Sequence, residues 1–233
     1  MHDYLKETRI LDYSNASIVK LVESRNWNQM DTVSRIKSIY NYVRDEIKFG
    51  YNLSDDIPAS VVLKDGYGQC NTKATLLMAL LRATGVSNRI HGFTIDKALQ
   101  KGAIIGVCYL FSPRNIIHSW VEVCVNDQWY ILEGVIIDRS YLSKIQSQNM
   151  ASKTFCGYGI YTDNLQNPPI EWDLNNTFIQ DRGINRDLGI FDTPDAFYAE
   201  HRQYLGPFKR FVFRNIVDRK STRLNSSHMT ASR

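Results

Sequence analysis

The chain has 233 residues, of which 43% are hydrophobic and 22% are charged, as in an ordinary soluble globular protein. That length suits one domain, or one domain with a small appendage. It contains no run near roughly 18 consecutive apolar residues, and its charged N-terminus MHDYLKETRI does not resemble a signal peptide. We therefore expect no membrane association and take the cytoplasm as the default location.

The formal net charge of +4 would be compatible with an acidic partner such as nucleic acid. Four basic residues and one acidic residue of this balance, however, lie in residues 218–233, DRKSTRLNSSHMTASR. This stretch is polar, has no periodic apolar face and resembles translated sequencing-adapter sequence, so we interpret it as a non-native tail rather than a natural basic one. Without it the net charge is +1, and no nucleic-acid partner is expected.

Cysteine usage is sparse, and the spacings are irregular. A disulfide framework or a zinc cluster is therefore not expected, and neither is any other cofactor. Unpaired cysteines in a reducing compartment are usually small buried residues, which we expect of three of the four. The cysteines are Cys70, Cys108, Cys124 and Cys156.

Apolar periodicity predicts two helices in the first part of the chain. One is capped by Ser14 or Asn15, and a clearer one starts at Asp31. A loop and about one helical turn at 59–63 follow. A largely apolar helix is then predicted to start at or just after Cys70, which implies that it is buried on most sides.

Strand patterns dominate the next part. Gly85 is expected to end the apolar helix, and Asn126-Asp127 is typical of a two-residue hairpin turn. A short helical or irregular piece is expected at 96–101. The strands are predicted at 86–94, 118–125 and 128–133.

The pattern weakens after Asp138, and only 194–217 looks helical again. We therefore predict a single α+β domain over residues 1–217. Its core occupies about 33–138, and residues 139–217 are a C-terminal elaboration.

Cys70 stands on a glycine-rich turn, GYGQCN, at the start of the predicted buried helix. A helix N-terminus stabilises a thiolate, which is the reactive form of cysteine. The free N–H groups of the first turn can also bind an oxyanion. A cysteine at such a position is more often structural, so the catalytic interpretation requires a base.

His118 is the best placed of the five histidines because it opens a predicted strand. A lone histidine at a strand start is more often structural or on the surface, so its case depends on a carboxylate partner. The others are His2 and His228 near the termini, His91 in an interior strand and His201 in the aromatic C-terminal helix.

Glu133 is the candidate carboxylate. A turn at Asn126-Asp127 would place Trp120 opposite Glu133, so that His118 and Glu133 become diagonal neighbours on one face. A carboxylate there can accept the imidazole N–H and stabilise the imidazolium. Two alternatives stay open: Glu133 as an exposed charge at a strand end, and Asp138 as the carboxylate if the strand ends earlier.

Four motifs in order resemble the core of the transglutaminase-like family: a Gly-x-Cys helix, Arg-x-x-Gly-[IV]-x-x-Arg, His-x-Trp-x-Glu, and a strand that starts with Trp. They lie in VLKDGYGQCNTKATLLMALLRATGVSNRIHGF and HSWVEVCVNDQWYILE, and the resemblance covers about residues 33–138. The matching residues after the Cys70 motif are Arg82, Gly85, Val86, Arg89, His118, Trp120, Glu122 and Trp129.

The resemblance implies a papain-like α+β fold, with the catalytic helix on an antiparallel sheet and a triad of Cys70, His118 and residue 133. The family usually has Asp where this chain has Glu133. Glu is one methylene longer, so its carboxylate either still reaches the imidazole or leaves the activity weakened or lost. Gln69 is a candidate for the oxyanion site. Trp120 is a groove candidate, although packing is the favoured interpretation.

These residues predict acyl transfer through a Cys thioester, with a peptide or protein amide as substrate. Hydrolysis by an amidase or peptidase is favoured over amine transfer, although both use the same groups. The alternative is a catalytically silent binding module that keeps the fold. An arylamine acyltransferase that uses a coenzyme A thioester is disfavoured by the arrangement of the motifs.

Overall fold

The structure is a computed structural model, and it describes residues 3–102 and 113–201. The predicted tail at 218–233 and most of the predicted helical region at 194–217 lie outside the described residues. The helices are α1 (Ala16–Ser24), α2 (Thr32–Asp45), α3 (Ala59–Asp65), α4 (Cys70–Ala83), α5 (Arg139–Gln148) and α6 (Pro194–Glu200). The strands are β1 (Lys48–Phe49), β2 (Tyr67–Gly68), β3 (Asn88–Asp96), β4 (Asn115–Val125), β5 (Gln128–Ile131), β6 (Phe155–Gly157), β7 (Ile160–Thr162) and β8 (Ile184–Phe191).

The first four helices form where the periodicity predicts them. The side chain of Asn15 caps α1, and that of Asp31 caps α2, each by accepting a backbone N–H of the first turn. Helix α4 is buried over almost its whole length and packs against α1, α2, α3 and β4. Gly85, just beyond α4, has φ +77°, which confirms it as the residue that ends the helix.

The main sheet is antiparallel, with the strand order β5-β4-β3-β8. Helix α4 lies against β4, so the predicted α+β arrangement, in which this helix packs on an antiparallel sheet, is confirmed. The described residues also contain two small sheets, β1 with β2 and β6 with β7. Among the described residues, no helix is long and apolar enough to cross a membrane.

The β4–β5 hairpin has the predicted register, since Val125 pairs with Gln128 and Glu122 with Ile131. Its two turn residues have φ 51° and 62°, as in a type I′ turn. The paired residues of β5 nevertheless end at Ile131; Leu132 still donates its N–H to the carbonyl of Val121 at 2.9 Å, and it also forms a parallel bridge to Thr177. The prediction that the strand continues to Glu133 is therefore wrong, and Glu133 begins a 3₁₀ helix, Glu133–Ile136.

The C-terminal elaboration is part of the fold. Strand β8 pairs with β3 as the fourth strand of the main sheet, and the segment around Thr177 packs beside the end of β5. Neither α5 nor β8 was predicted. Strand β8 reads INRDLGIF, and its polar residues are exposed at the sheet edge, so it lacks the apolar alternation of a half-buried strand.

The expectation for the other cysteines is only partly met. Cys124 is half-buried, but Cys156 is exposed on β6, so the expectation that it is a buried core residue is wrong. Cys108 lies outside the described residues. Cys70, Cys124 and Cys156 all have free thiols.

The hairpin turn gives a stability prediction. Asp127 has φ 62°, a left-handed conformation that costs a non-glycine residue about 1 kcal/mol. Asp127→Gly produces the Asn-Gly pair that type I′ turns prefer, so we expect a net gain of about 0.5 kcal/mol in the free energy of unfolding. Urea unfolding measures this gain. The control Asp127→Ala should be less stable than the wild type, and a lower stability of Asp127→Gly would contradict the argument.

Candidate active site

Cys70 is the first residue of α4 and is 8% exposed. The turn before it is closed by Thr72, whose hydroxyl accepts the N–H of Gln69 at 3.1 Å. Gly68 is required there, since a Cβ at that position would lie 2.7 Å from Thr72 Oγ1 and 3.0 Å from Lys73 Cγ. The thiol therefore stands at a helix N-terminus, where the helix dipole and free N–H groups favour negative charge.

His118 lies in β4, and its side chain is completely buried. Its Nε2 is 3.2 Å from Glu133 Oε1, and Cys70 is close enough for its charge to act on the same ring. The structure thus brings together the three residues that the sequence predicted as a triad, from α4, from β4 and from the 3₁₀ helix after β5.

Glu133 is also completely buried, so the alternative interpretation as an exposed strand-end charge is wrong. Its Oε2 accepts the backbone N–H of Ile179 at 2.6 Å and that of Gln180 at 3.0 Å. The Gln180 N–H is also 3.1 Å from Oε1. Amide donors of this kind stabilise an ionised carboxylate away from water and fix its orientation.

The pKa of His118 is shifted towards the charged form. Burial by itself lowers it, but the charge of Cys70 and hydrogen bonds with Cys70 and Glu133 outweigh burial and raise the pKa of His118 to about 9. The site therefore favours a protonated His118 beside the Glu133 carboxylate. An imidazolium paired with a thiolate is the reactive form of a cysteine nucleophile with its base.

The hydrogen bonds of the imidazole are not well aligned in the free site. Although Nε2 is 3.2 Å from the carboxylate, neither ring nitrogen has a fully aligned partner among the described residues. Catalytic hydrogen bonds often have loose geometry before substrate binds and tighten afterwards. The Nε2–Oε1 distance nevertheless fits a carboxylate that orients the ring.

Asp138, the alternative carboxylate, is used elsewhere. It caps α5 by accepting the N–H of Tyr141 at 3.0 Å, and it also accepts the N–H of Phe49 at 3.0 Å and the hydroxyl of Ser140. Its carboxylate therefore holds α5 against β1. The structure places Glu133, and not Asp138, against His118.

Gln69 is next to Cys70, but its side chain is bound within the protein. Its Nε2 donates to Asp55 Oδ1, and its Oε1 accepts the N–H of Asn52, both at 2.8 Å. The amide therefore braces the loop between β1 and α3. The predicted role of Gln69 in the oxyanion site stays a prediction.

Trp120 packs within an aromatic layer beside His118. Its ring centroid is 4.0 Å from that of Phe93 and 6.2 Å from that of Phe178. The indole N–H donates to Glu122 at 3.2 Å, and Glu122 in turn pairs with Arg89 at 2.7 Å. These contacts favour the packing interpretation over a role in the substrate groove.

Other residues near Cys70 were not predicted from the sequence. Asn71 donates to the carbonyl of Ile117 at 3.1 Å and accepts the Ser119 hydroxyl at 2.9 Å, which ties α4 to the strand that carries His118. Tyr198 of α6 is buried, and this burial together with the nearby charges of Asp55 and Cys70 raises its pKa well above the ordinary value. No local sequence signal marks Tyr198, because it is far from Cys70 along the chain.

Among residues 3–102 and 113–201, no group of three or more His, Cys, Asp or Glu side chains is arranged to hold a metal ion. The polar groups at the site are those of a thiol, an imidazole and a carboxylate. This set can supply a nucleophile, a proton carrier and a group that orients it.

The fold and the site define a papain-like α+β protein with a cysteine at the start of its central helix. Residues 20–134, just under half of the chain, match the model of the transglutaminase-like superfamily. The similarity to this family that the motifs predicted is therefore confirmed over this part of the chain.

Two solved structures resemble the chain at 13% identity each. One, titled a "Putative Cysteine Protease" from Cytophaga hutchinsonii, has a TM-score of 0.46 over 82% of this chain and 47% of its own. The other, a "putative protease" from Parabacteroides distasonis, has a TM-score of 0.35 over 53% of this chain and 24% of its own. The chain thus spans about half the length of the first. No curated protein matches the chain.

The charge arrangement predicts the titration of His118. We expect an apparent pKa near 9 in a histidine NMR titration of the wild-type protein. Glu133→Gln keeps the shape of the side chain but removes its charge, so the pKa of His118 should fall by about one unit or more. Cys70→Ala should lower it as well. A wild-type value near 6.5 would contradict the ion pair.

The same shift predicts how stability depends on pH. The pKa of His118 is raised above its ordinary 6.5 in the folded state, so protonation of this ring stabilises the fold. That contribution is fully present below about pH 6.5 and is lost as the pH rises through about 9. In urea unfolding, the deficit of Glu133→Gln relative to wild type should be larger at about pH 6 than above about pH 9. A deficit that does not change with pH would contradict the assignment.

Proposed function

We propose that this protein is a cysteine-dependent enzyme that acts on peptide or protein amide bonds through a thioester acyl-enzyme. Cys70 is the nucleophile, His118 is its base and Glu133 orients the imidazole. The proposal rests on three buried side chains that come from separate elements and lie together. His118 Nε2 is 3.2 Å from Glu133 Oε1, and the charge of Cys70 acts on the same imidazole ring.

In the proposed reaction His118 already holds the proton of Cys70, and the thiolate attacks the carbonyl carbon of the amide. Backbone N–H groups of the first turn of α4 stabilise the oxyanion. The imidazolium gives its proton to the leaving amine as the C–N bond breaks. Water, deprotonated by His118, then attacks the thioester to release a carboxylic acid and the free thiol.

Glu133 suits the orienting role despite being one methylene longer than the usual Asp. It lies beyond the last paired residue of β5, where the backbone has turned into a 3₁₀ helix, and this displacement accommodates the longer arm. Amides of Ile179 and Gln180 hold its carboxylate at the imidazole. These contacts support an intact triad over a degraded one.

We keep hydrolysis ahead of amine transfer, as in the sequence interpretation, and both reactions use the same three groups. A binding module without activity is the second candidate. The presence of Glu instead of the usual Asp at residue 133 supports this candidate. The hydrogen bonds that hold the Glu133 carboxylate weaken that support. Cytoplasmic location stays a prediction from the sequence.

Alkylation with iodoacetamide separates an activated thiol from an ordinary one, and Cys156 is an internal control. Burial and the nearby Asp96 raise the pKa of Cys156, so it should react slowly in mild acid. We expect Cys70 to react at least about tenfold faster than Cys156 at about pH 5.5, as followed by mass spectrometry of tryptic peptides. Rates that fall in parallel as the pH is lowered would favour the binding module.

Substitutions at Glu133 test its role in turnover of a peptide amide found by library screening. Glu133→Gln should keep the fold but reduce kcat by roughly 10²–10⁴, as for other triad carboxylates. Glu133→Asp restores the usual family residue on a shorter arm, and activity at or above the wild-type level would show that Glu133 is imperfectly placed. Unchanged activity in both Glu133→Gln and Glu133→Ala would remove Glu133 from the mechanism. Cys70→Ala should abolish turnover and labelling of that site.

A further inference from the structure

Lys73 is a buried cation that the proposed reaction does not use. It lies one helical turn after Cys70 on α4 and is 0% exposed. Its Nζ donates to the carbonyl oxygen of Arg44 at 2.9 Å and to that of Ile136 at 3.0 Å. Within the described ranges it forms no ion pair. A fully buried ammonium without a directly paired carboxylate is costly, so its position calls for a physical reason.

Both carbonyl groups lie at the C-terminal ends of helices. Arg44 is in the last turn of α2, and Ile136 is the last residue of the 3₁₀ helix that begins with Glu133. Carbonyls at a helix C-terminus lack intrahelical donors and carry partial negative charge, which a cation satisfies. Lys73 therefore joins the helix of Cys70 to α2 and to the short helix of Glu133.

The 3₁₀ helix is only four residues long, so its position depends on such anchors. At its start, the Glu133 carboxylate binds the amides of Ile179 and Gln180. In its middle, the N–H of Gly134 donates to Thr177 Oγ1 at 3.1 Å. At its end, Lys73 connects it to α4. This last anchor is a hydrogen bond between the 3₁₀ helix and the helix that carries the nucleophile.

We propose that Lys73 is a positioning residue that holds Glu133 in register with Cys70 and His118. This inference rests on the proposed function. Without the Nζ bridge, the end of the 3₁₀ helix can shift relative to α4, and the 3.2 Å contact between Glu133 and His118 loses one of its constraints. Small displacements of this kind cost much catalysis.

The electrostatic surroundings of Lys73 are mixed. Asp138 and Asp45 favour its charge, whereas Arg44 and Lys48 oppose it. Burial is the largest influence and lowers the pKa of Lys73 to about 7. A neutral amine still has two N–H groups for two carbonyls, so the bridge itself is expected to persist above that pH.

A double-mutant cycle tests the inference, with the iodoacetamide alkylation rate of Cys70 at about pH 6 as the measurement. We expect Lys73→Met to slow alkylation roughly tenfold in the wild-type background, but less than about twofold in the Glu133→Gln background, because the contact is then already lost. Equal effects in both backgrounds would make Lys73 a structural residue only and overturn the proposal.

The pKa of His118 gives a second readout. Lys73, with a pKa of about 7, is largely neutral where His118 titrates near 9, so Lys73→Met removes little charge there, whereas displacement of the Glu133 carboxylate lowers the pKa of His118. We therefore expect a lower pKa in Lys73→Met by NMR titration, and an unchanged or higher one would overturn the proposal. If Lys73→Met does not fold, Lys73→Gln replaces it, and wild-type values of both rate and pKa in that variant would overturn the inference.

Arg82 provides a matched control at the other end of α4. It is also buried, and its guanidinium donates to the carbonyls of Asn88, Lys6 and Asp192. Any effect of Arg82→Met on alkylation should be the same in both backgrounds. If Glu133→Gln itself changes neither rate nor pKa, the proposed triad fails. If it changes both but does not couple to Lys73, only the present inference fails.

Discussion

The site depends on keeping an ionised carboxylate inside the protein. Glu133 is wholly buried, and a buried charge is tolerated only when it is paired and hydrogen-bonded. The amides of Ile179 and Gln180 provide the hydrogen bonds, and the His118 imidazolium provides the charge. These amides lie in the C-terminal elaboration. The family core at 20–134 therefore does not by itself supply the hydrogen bonds that hold this carboxylate.

Helix α4 is the element on which the other parts converge. Its apolar side chains fill the core between the N-terminal helices and the sheet, while its first turns carry polar groups. Cys70 faces His118, Asn71 binds β4 and Lys73 binds the ends of two other helices. These contacts fix the positions of the thiol and its partners relative to the packed core. Precise acid–base chemistry requires such a fixed geometry.

The departure from the usual family residue at position 133 has a structural account. Leu132 donates to Val121 of β4 and also bridges Thr177, and the chain then turns into the 3₁₀ helix that Glu133 begins. The Gly134 backbone packs tightly, because a Cβ there would lie 2.7 Å from the Tyr40 hydroxyl. Close packing of this segment fixes where the longer side chain can point.

The sequence by itself determined α1 to α4, the start of α4 at Cys70 and the register of the β4–β5 hairpin. Caps, apolar periods and a two-residue turn are local signals, which is why they could be read directly. Only the tertiary structure decided that Glu133 is buried rather than exposed, that Asp138 caps α5, and that Lys73 and Tyr198 lie near the site. Each of these depends on contacts between distant segments, such as Glu133 with Ile179 and Gln180, and on edge strands like β8 whose exposed residues carry no periodic apolar signal.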